Sequence, residues 1–199
     1  MSVIDAVAEN HLEFNVSQNL LEPTALNLQS TDFELFQLPP QAALDLSVLS
    51  KRWRELQTAV HPDRFAASGQ SAVRIAMQYS TRINEAYQRL KSPHSRFGYL
   101  CELKGEPIAS ESNTSMPIEF LTQQMIWRET LEESTKELDL QNLQGEVISL
   151  KAQLERDCAT AIDEKKDYKS AAQIVRSLMF VNRFQEDIDK KIDLIDQTD

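Results

Sequence analysis

Residues 45–63 read DLSVLSKRWRELQTAVHPD, and this stretch decides the fold. Leu46, Leu49, Trp53, Leu56 and Val60 recur at spacings of 3, 4, 3 and 4, which is one apolar stripe on a helix over 45–60. Asp45 or Ser47 supplies a side-chain oxygen to cap its start. Lys51, Arg52, Arg54 and Thr58 fall largely outside the stripe, so the helix is cationic on its solvent side. His61-Pro62 ends it, because Pro disfavours the α conformation in the residue before it.

Moving toward the C-terminus, the polar stretch RFAASGQS (64–71) reads as a loop. A second helix over about 71–91 follows, with the stripe Val73, Ala76/Met77, Ser80, Ile83, Ala86/Tyr87 and Leu90. Ser92-Pro93 ends that helix and starts a short one over 93–104, with Phe97, Leu100 and Leu103 as its inner face and Gly105 closing it. Toward the N-terminus, TDFELFQLPP (31–40) is a short helix capped by Thr31 or Asp32 and ended by Pro39-Pro40. Residues 1–30 have no convincing period and are expected to form an N-terminal extension. Residues 31–105 thus read as two longer antiparallel helices flanked by two short ones.

GEPIASESNTSMP (105–117) is a linker. Three helices are expected beyond it, over about 117–139, 142–165 and 168–196. Val147, Leu150, Leu154, Cys158 and Ala161/Ile162 keep to one stripe on the second; Ile174, Leu178, Val181, Ile188, Ile192 and Ile195 do so on the third. All seven prolines lie at or before Pro117, so nothing of that kind interrupts these segments. No segment alternates with period two, so the fold class is all-α, with a three-helix bundle over 117–199 as the second domain.

The composition narrows the function. The chain has 199 residues and a formal charge of −10, which as an average disfavours nucleic acid and anionic membrane surfaces as partners. The charge is uneven. Residues 1–50 carry seven acids and no base, residues 51–104 ten bases and four acids, and residues 105–199 eleven bases and twenty acids. The 4 glycines cannot be arranged into a dinucleotide or P-loop fingerprint. No apolar run approaches the roughly eighteen residues of a membrane span, and MSVIDAVAENHLEF has neither the charge nor the apolar core of a secretion signal. Cys101 and Cys158 are read as reduced structural residues, and three His with two Cys lack zinc-ligand spacing. No metal or other cofactor is expected, and no nucleophile–base pair can be proposed, so the chain is not read as an enzyme. A cytoplasmic address is expected.

His61-Pro62-Asp63 after a cationic helix, with Arg64-Phe65 and then the INEAYQRL run at 83–90, resembles the J-domain of co-chaperones. FELFQLP (33–39) and RINEAYQRLKSPHSRFGYLCELKG (82–105) resemble the opening and close of the HscB family J-domain, and EFLTQQMIWRETLEE (119–133) and VRSLMFV (175–181) resemble its C-terminal domain. The likeness spans about residues 31–195. It implies a J-domain over 31–105, a linker over 106–116 and a scaffold-binding bundle over 117–199. It further implies a bacterial cytoplasmic co-chaperone that binds the iron–sulfur cluster scaffold IscU and delivers it to a heat-shock ATPase, HscA or a DnaK-type relative, whose hydrolysis it stimulates. A monomer is the expected state.

By the same resemblance, His61, Pro62 and Asp63 contact the ATPase, with Lys51, Arg52, Arg54 and Arg64 supplying a cationic approach. Pro62 stiffens the loop, and Asp63 offers a carboxylate to a partner's arginine. Thr58 and Val60 depart from the common pattern, where a basic and an aromatic residue are usual. On the 117–139 helix, Phe120, Gln124, Trp127, Leu131 and Leu138 form the core side. Ile118, Leu121, Thr122, Met125, Glu129 and Glu132/Glu133 form a second side roughly 150° away. A second apolar side grading into carboxylates is a docking patch. The resemblance assigns scaffold binding to Leu121, Met125, Glu129, Glu133 and Phe180; Thr122 and Ile126 also match in position but differ in character. Two other readings compete: a generic J-domain adaptor for a different client, and a structural helical protein with a coincidental HPD.

Overall fold

The computed structural model describes residues 29–108 and 116–196. Residues 1–28, in the expected N-terminal extension, and 109–115, in the expected linker, lie outside the described residues. Among those described, every regular element is a helix. In chain order these are α1 (Asp32–Leu35), α2 (Leu46–Ala59), a 3₁₀ turn (Pro62–Ser68), α3 (Gln70–Lys91), α4 (Pro93–Leu103), α5 (Ile118–Glu133), α6 (Glu137–Asp163) and α7 (Tyr168–Asp196). The all-α expectation holds.

The chain divides into two compact units. The first comprises the described residues up to Pro39 together with Asp45–Gln88. Thr31 opens α1 with a reciprocal capping box: its hydroxyl accepts the Glu34 N–H at 3.2 Å, and the Glu34 carboxylate accepts the Thr31 N–H at 2.8 Å. Asp45 caps α2, taking the Ser47 N–H at 2.8 Å and the Val48 N–H at 3.3 Å. The helices α2 and α3 run antiparallel, as their cross-links show. Ser50 meets the Tyr87 hydroxyl at 3.2 Å, the Trp53 indole N–H donates to Asn84 at 2.9 Å, and the Gln57 amide donates to the Ser80 carbonyl at 3.1 Å. Trp53 also stacks on Tyr87 with centroids 4.8 Å apart. Phe33, Phe36, Leu49, Val60, Ala76, Ile83 and Ala86 fill the space between these helices. Two stripe positions fall outside the core: Leu46 and Met77 are exposed. Leu46 is the first residue after the Asp45 cap.

The second unit comprises Pro40–Leu44 and the chain from Arg89 onward. Its spine is the antiparallel pair α6 and α7, with Gln144 donating to Asp189 at 2.7 Å and Lys151 to Gln185 at 3.2 Å. Helix α4 packs on both, so packing places it with the second unit, whereas the sequence segmentation closes the first domain at Gly105. Gly98 faces this contact: a Cβ there would stand 3.5 Å from Ile108 and 3.6 Å from Val175, ordinary van der Waals distances. Leu103, expected on the inner face of α4, is exposed, and Cys101 is buried instead. Trp127 of α5 closes a core made by Leu143, Val147, Val181, Phe184 and Ile188.

The helix expected over 117–139 stops at Glu133, and the next begins at Glu137 instead of 142. Ser134 turns extended (ψ 123), and its hydroxyl donates to the Thr130 carbonyl at 2.5 Å. The Lys191 ammonium of α7 binds the Leu131 carbonyl and, at 3.0 Å, that of Glu132. A cation on those unpaired carbonyls stabilises the helix end. Leu138 therefore lies in the first turn of α6 and is exposed, not on the core side of α5.

Pro40–Leu44 is held by side chains distant in sequence. The Asp163 carboxylate accepts the Ala42 N–H at 2.7 Å and the Ala43 N–H at 2.8 Å. Buried Arg96 donates to the Ala42 carbonyl at 3.0 Å and to the Leu90 carbonyl at 2.5 Å.

Candidate functional site

His61 is the cap of the 3₁₀ turn, and Pro62 is its first residue. The His61 Nδ1 accepts the Asp63 N–H at 3.3 Å, which assigns the ring proton to Nε2 in the neutral imidazole. The Asp63 carboxylate stands 3.6 Å from the same nitrogen, with its side chain 90 % exposed. The turn therefore presents an exposed imidazole and an exposed carboxylate from a backbone restricted by Pro62. Buried Val60 anchors the other end: it caps α2, its N–H donates to Leu56, and its side chain lies in the core.

The expected cations take different places. Lys51 and Arg54 project from the outer face of α2, Lys51 forming a loose 3.9 Å pair with Glu55. Arg52 is half-buried and donates to Gln37 at 3.0 Å. Arg64 turns back to donate to the Thr58 carbonyl at 3.1 Å, where a cation meets the negative end of α2. Exposed Thr58 bonds within its own helix, to the Arg54 carbonyl at 2.8 Å. A cationic face and the His-Pro-Asp turn thus lie on one contiguous segment, with Lys51 and Arg54 as its outward charges.

On the second unit, α5 carries two sides as its sequence requires. Trp127 points inward, and its indole N–H donates to Glu146 at 3.2 Å. Outward, Ile118 is 74 % exposed, Leu121 42 % and Met125 64 %. Glu129, Glu132 and Glu133 continue that face and are exposed. Thr122 lies in it with its hydroxyl bonded to the Ile118 carbonyl at 3.0 Å, and exposed Ile126 borders it. Phe180 of α7 is different. It is half-buried, edge-on to Phe120 at 5.8 Å, stacked on Phe184 at 5.9 Å and covered by the Arg128 guanidinium at 5.7 Å. Phe180 ties the outer side of α5 to the core, and Arg128 is a member of this cluster that periodicity alone does not single out.

Nucleophilic chemistry finds no support in the thiols. Burial pushes Cys101 up to about 11 and Cys158 up to about 12, so both are protonated at neutral pH. Among the described residues, no group of three or more His, Cys, Asp or Glu is placed to hold a metal ion. No helix there is long and apolar enough to cross a membrane.

A family model described as the HSCB C-terminal oligomerisation domain matches residues 116–189. A co-chaperone protein HscB homolog of Burkholderia multivorans is 42 % identical over 175 residues, which are 86 % of this chain and 99 % of the relative. Chaperone HscB from Vibrio cholerae superposes with a TM-score of 0.73 at 30 % identity, covering 83 % of this chain and 99 % of that one. Human co-chaperone protein HscB superposes with a TM-score of 0.78 at 26 % identity, covering 88 % and 86 %.

Proposed function

The chain belongs to the HscB co-chaperone family, and from that premise we propose that it binds an IscU-type iron–sulfur scaffold and delivers it to an HscA or DnaK-type chaperone, whose ATPase it stimulates. The observation that carries this reading is the chemical contrast between two exposed surfaces. The first unit presents a cationic helix face running into the His-Pro-Asp turn, and the second presents an apolar strip running into carboxylates. Neither surface resembles a catalytic centre; both have the composition of docking sites for proteins.

In this reading His61, Pro62 and Asp63 make the contact that triggers hydrolysis. Lys51 and Arg54 steer the encounter with an acidic surface, while Arg52 and Arg64 hold α2 and the turn in shape. Leu121 and Met125 form the centre of the scaffold contact, Glu129 and Glu133 its charged border, and Phe180 its support. The J-domain over 31–105 and the bundle over 117–199 are the functional modules. The protein acts in the bacterial cytoplasm as a monomer, without cofactor and without chemistry of its own.

A steady-state ATPase assay with the cognate chaperone, with and without IscU, tests this. Stimulation by the protein that rises further with IscU is expected. Stimulation without any response to IscU, and no IscU recovered in a pull-down, selects the generic adaptor reading. No stimulation at all overturns the J-domain role.

A further inference from the structure

Met125 carries a reactivity that docking itself does not use. Among the described residues Met77, Met125 and Met179 are the exposed methionines, and Met125 is the most exposed, at 64 %. It is also the one that lies on the outer side of α5, one turn from Leu121 on one side and from Glu129 on the other. Met116 is half-buried, and its sulfur accepts a hydrogen bond from the Gln124 amide at 3.4 Å. The Met125 thioether is thus open to small oxidants and sits where the apolar strip meets the carboxylates.

We propose that Met125 is a peroxide-sensitive modification site that switches scaffold docking off; the inference rests on the scaffold reading above. A hydroperoxide transfers one oxygen atom to Met125 Sδ. The O–O bond breaks and an S–O bond forms; the sulfur loses two electrons, and the peroxide leaves as water or an alcohol. A thiol-dependent methionine sulfoxide reductase reverses the step.

The surroundings make the new S–O dipole costly once a partner covers it. Glu129 and Glu133 offer only acceptors when ionised. The Thr122 hydroxyl is already given to the Ile118 carbonyl. A polar oxygen desolvated against an apolar partner without a donor disfavours the complex.

The test is titration of IscU into the full chain before and after a hydrogen peroxide dose, with site occupancy read by peptide mass spectrometry. A Met77→Leu/Met179→Leu variant leaves Met125 as the exposed methionine among the described residues. Its untreated affinity is expected to be unchanged and its treated affinity roughly tenfold weaker, returning after reductase treatment. A Met125→Leu variant is compared with its own untreated affinity and is expected to lose nothing on treatment. Circular dichroism on the same samples keeps unfolding apart from lost docking. Full sulfoxide at Met125 with unaltered binding, failure of Met125 to oxidise at a dose that converts a free methionine peptide, or a loss that persists in Met125→Leu each overturn the switch alone. Absence of binding by the untreated chain overturns the scaffold reading and the switch with it.

Discussion

The Arg82 guanidinium stands 2.7 Å from the carboxylate of Asp32, which opens α1 and is fully buried. The same arginine donates to the Ser30 carbonyl at 2.9 Å. One residue of α3 therefore neutralises a buried charge and holds the chain leading into α1. Arg82→Ala removes this ion pair from a buried carboxylate. The expected loss is about 3 kcal/mol of unfolding free energy, read by urea denaturation followed by circular dichroism.

His61→Gln is expected to abolish ATPase stimulation. Its side chain is exposed and outside the core, so stability changes by less than about 0.5 kcal/mol and scaffold affinity is retained. Stimulation that survives in a folded His61→Gln protein would refute the role of the turn.

Leu121→Ala and Met125→Ala should each weaken IscU binding by about 1–3 kcal/mol in calorimetric titration, with little change in stability, because both side chains are exposed. Phe180→Ala should differ. Its ring packs on Phe120 and Phe184, so it is expected to lose about 2 kcal/mol of stability as well as scaffold affinity.

Acid should destabilise the protein in two steps. Burial, with Lys151 nearby, lowers the His94 pKa from 6.5, against the opposing pull of Glu155 and Glu186. The folded chain therefore binds fewer protons than the unfolded one, and this stability is complete above about pH 6.5 and falls as the pH drops. Hydrogen bonds to Thr31 lower Glu34 from 4.5, and those to Ser47 lower Asp45 from 3.8. Their capping is complete above the ordinary carboxylate range and is lost as the pH falls through their folded values. Unfolding free energies measured from pH 8 to pH 3 should show both steps, and His94→Gln should erase the first alone.

Much of this architecture is legible in local spacing. The 3-4-3-4 stripe ending at His61-Pro62 gives α2, its buried residues Leu49 and Val60, and the exposed turn that follows. The second side of α5 is equally readable, because exposure at Ile118, Leu121 and Met125 follows from their angle to Trp127. The stop at Glu133 is not. No Pro or Gly marks it, and one of its causes is Lys191, about sixty positions away. Phe180 is similar: its distance from the core stripe of α7 suggests a free ring, whereas Phe120 and Arg128 enclose it. Local period reports which way a side chain points, but not what another helix brings to meet it.

The grip of Asp163 and Arg96 on Ala42 and Ala43 bears on how the chain can be cut. A truncation after Gly105 follows the sequence segmentation, yet it removes the only acceptor shown for those two amides. It also removes the α6 and α7 surface that α4 covers. Such a fragment keeps every residue of the His-Pro-Asp turn but has lost the carboxylate that holds Ala42 and Ala43 and the cover on α4. For this protein, a shortened chain is a chemically different molecule from the same residues in the whole, and activity measured on one does not transfer to the other.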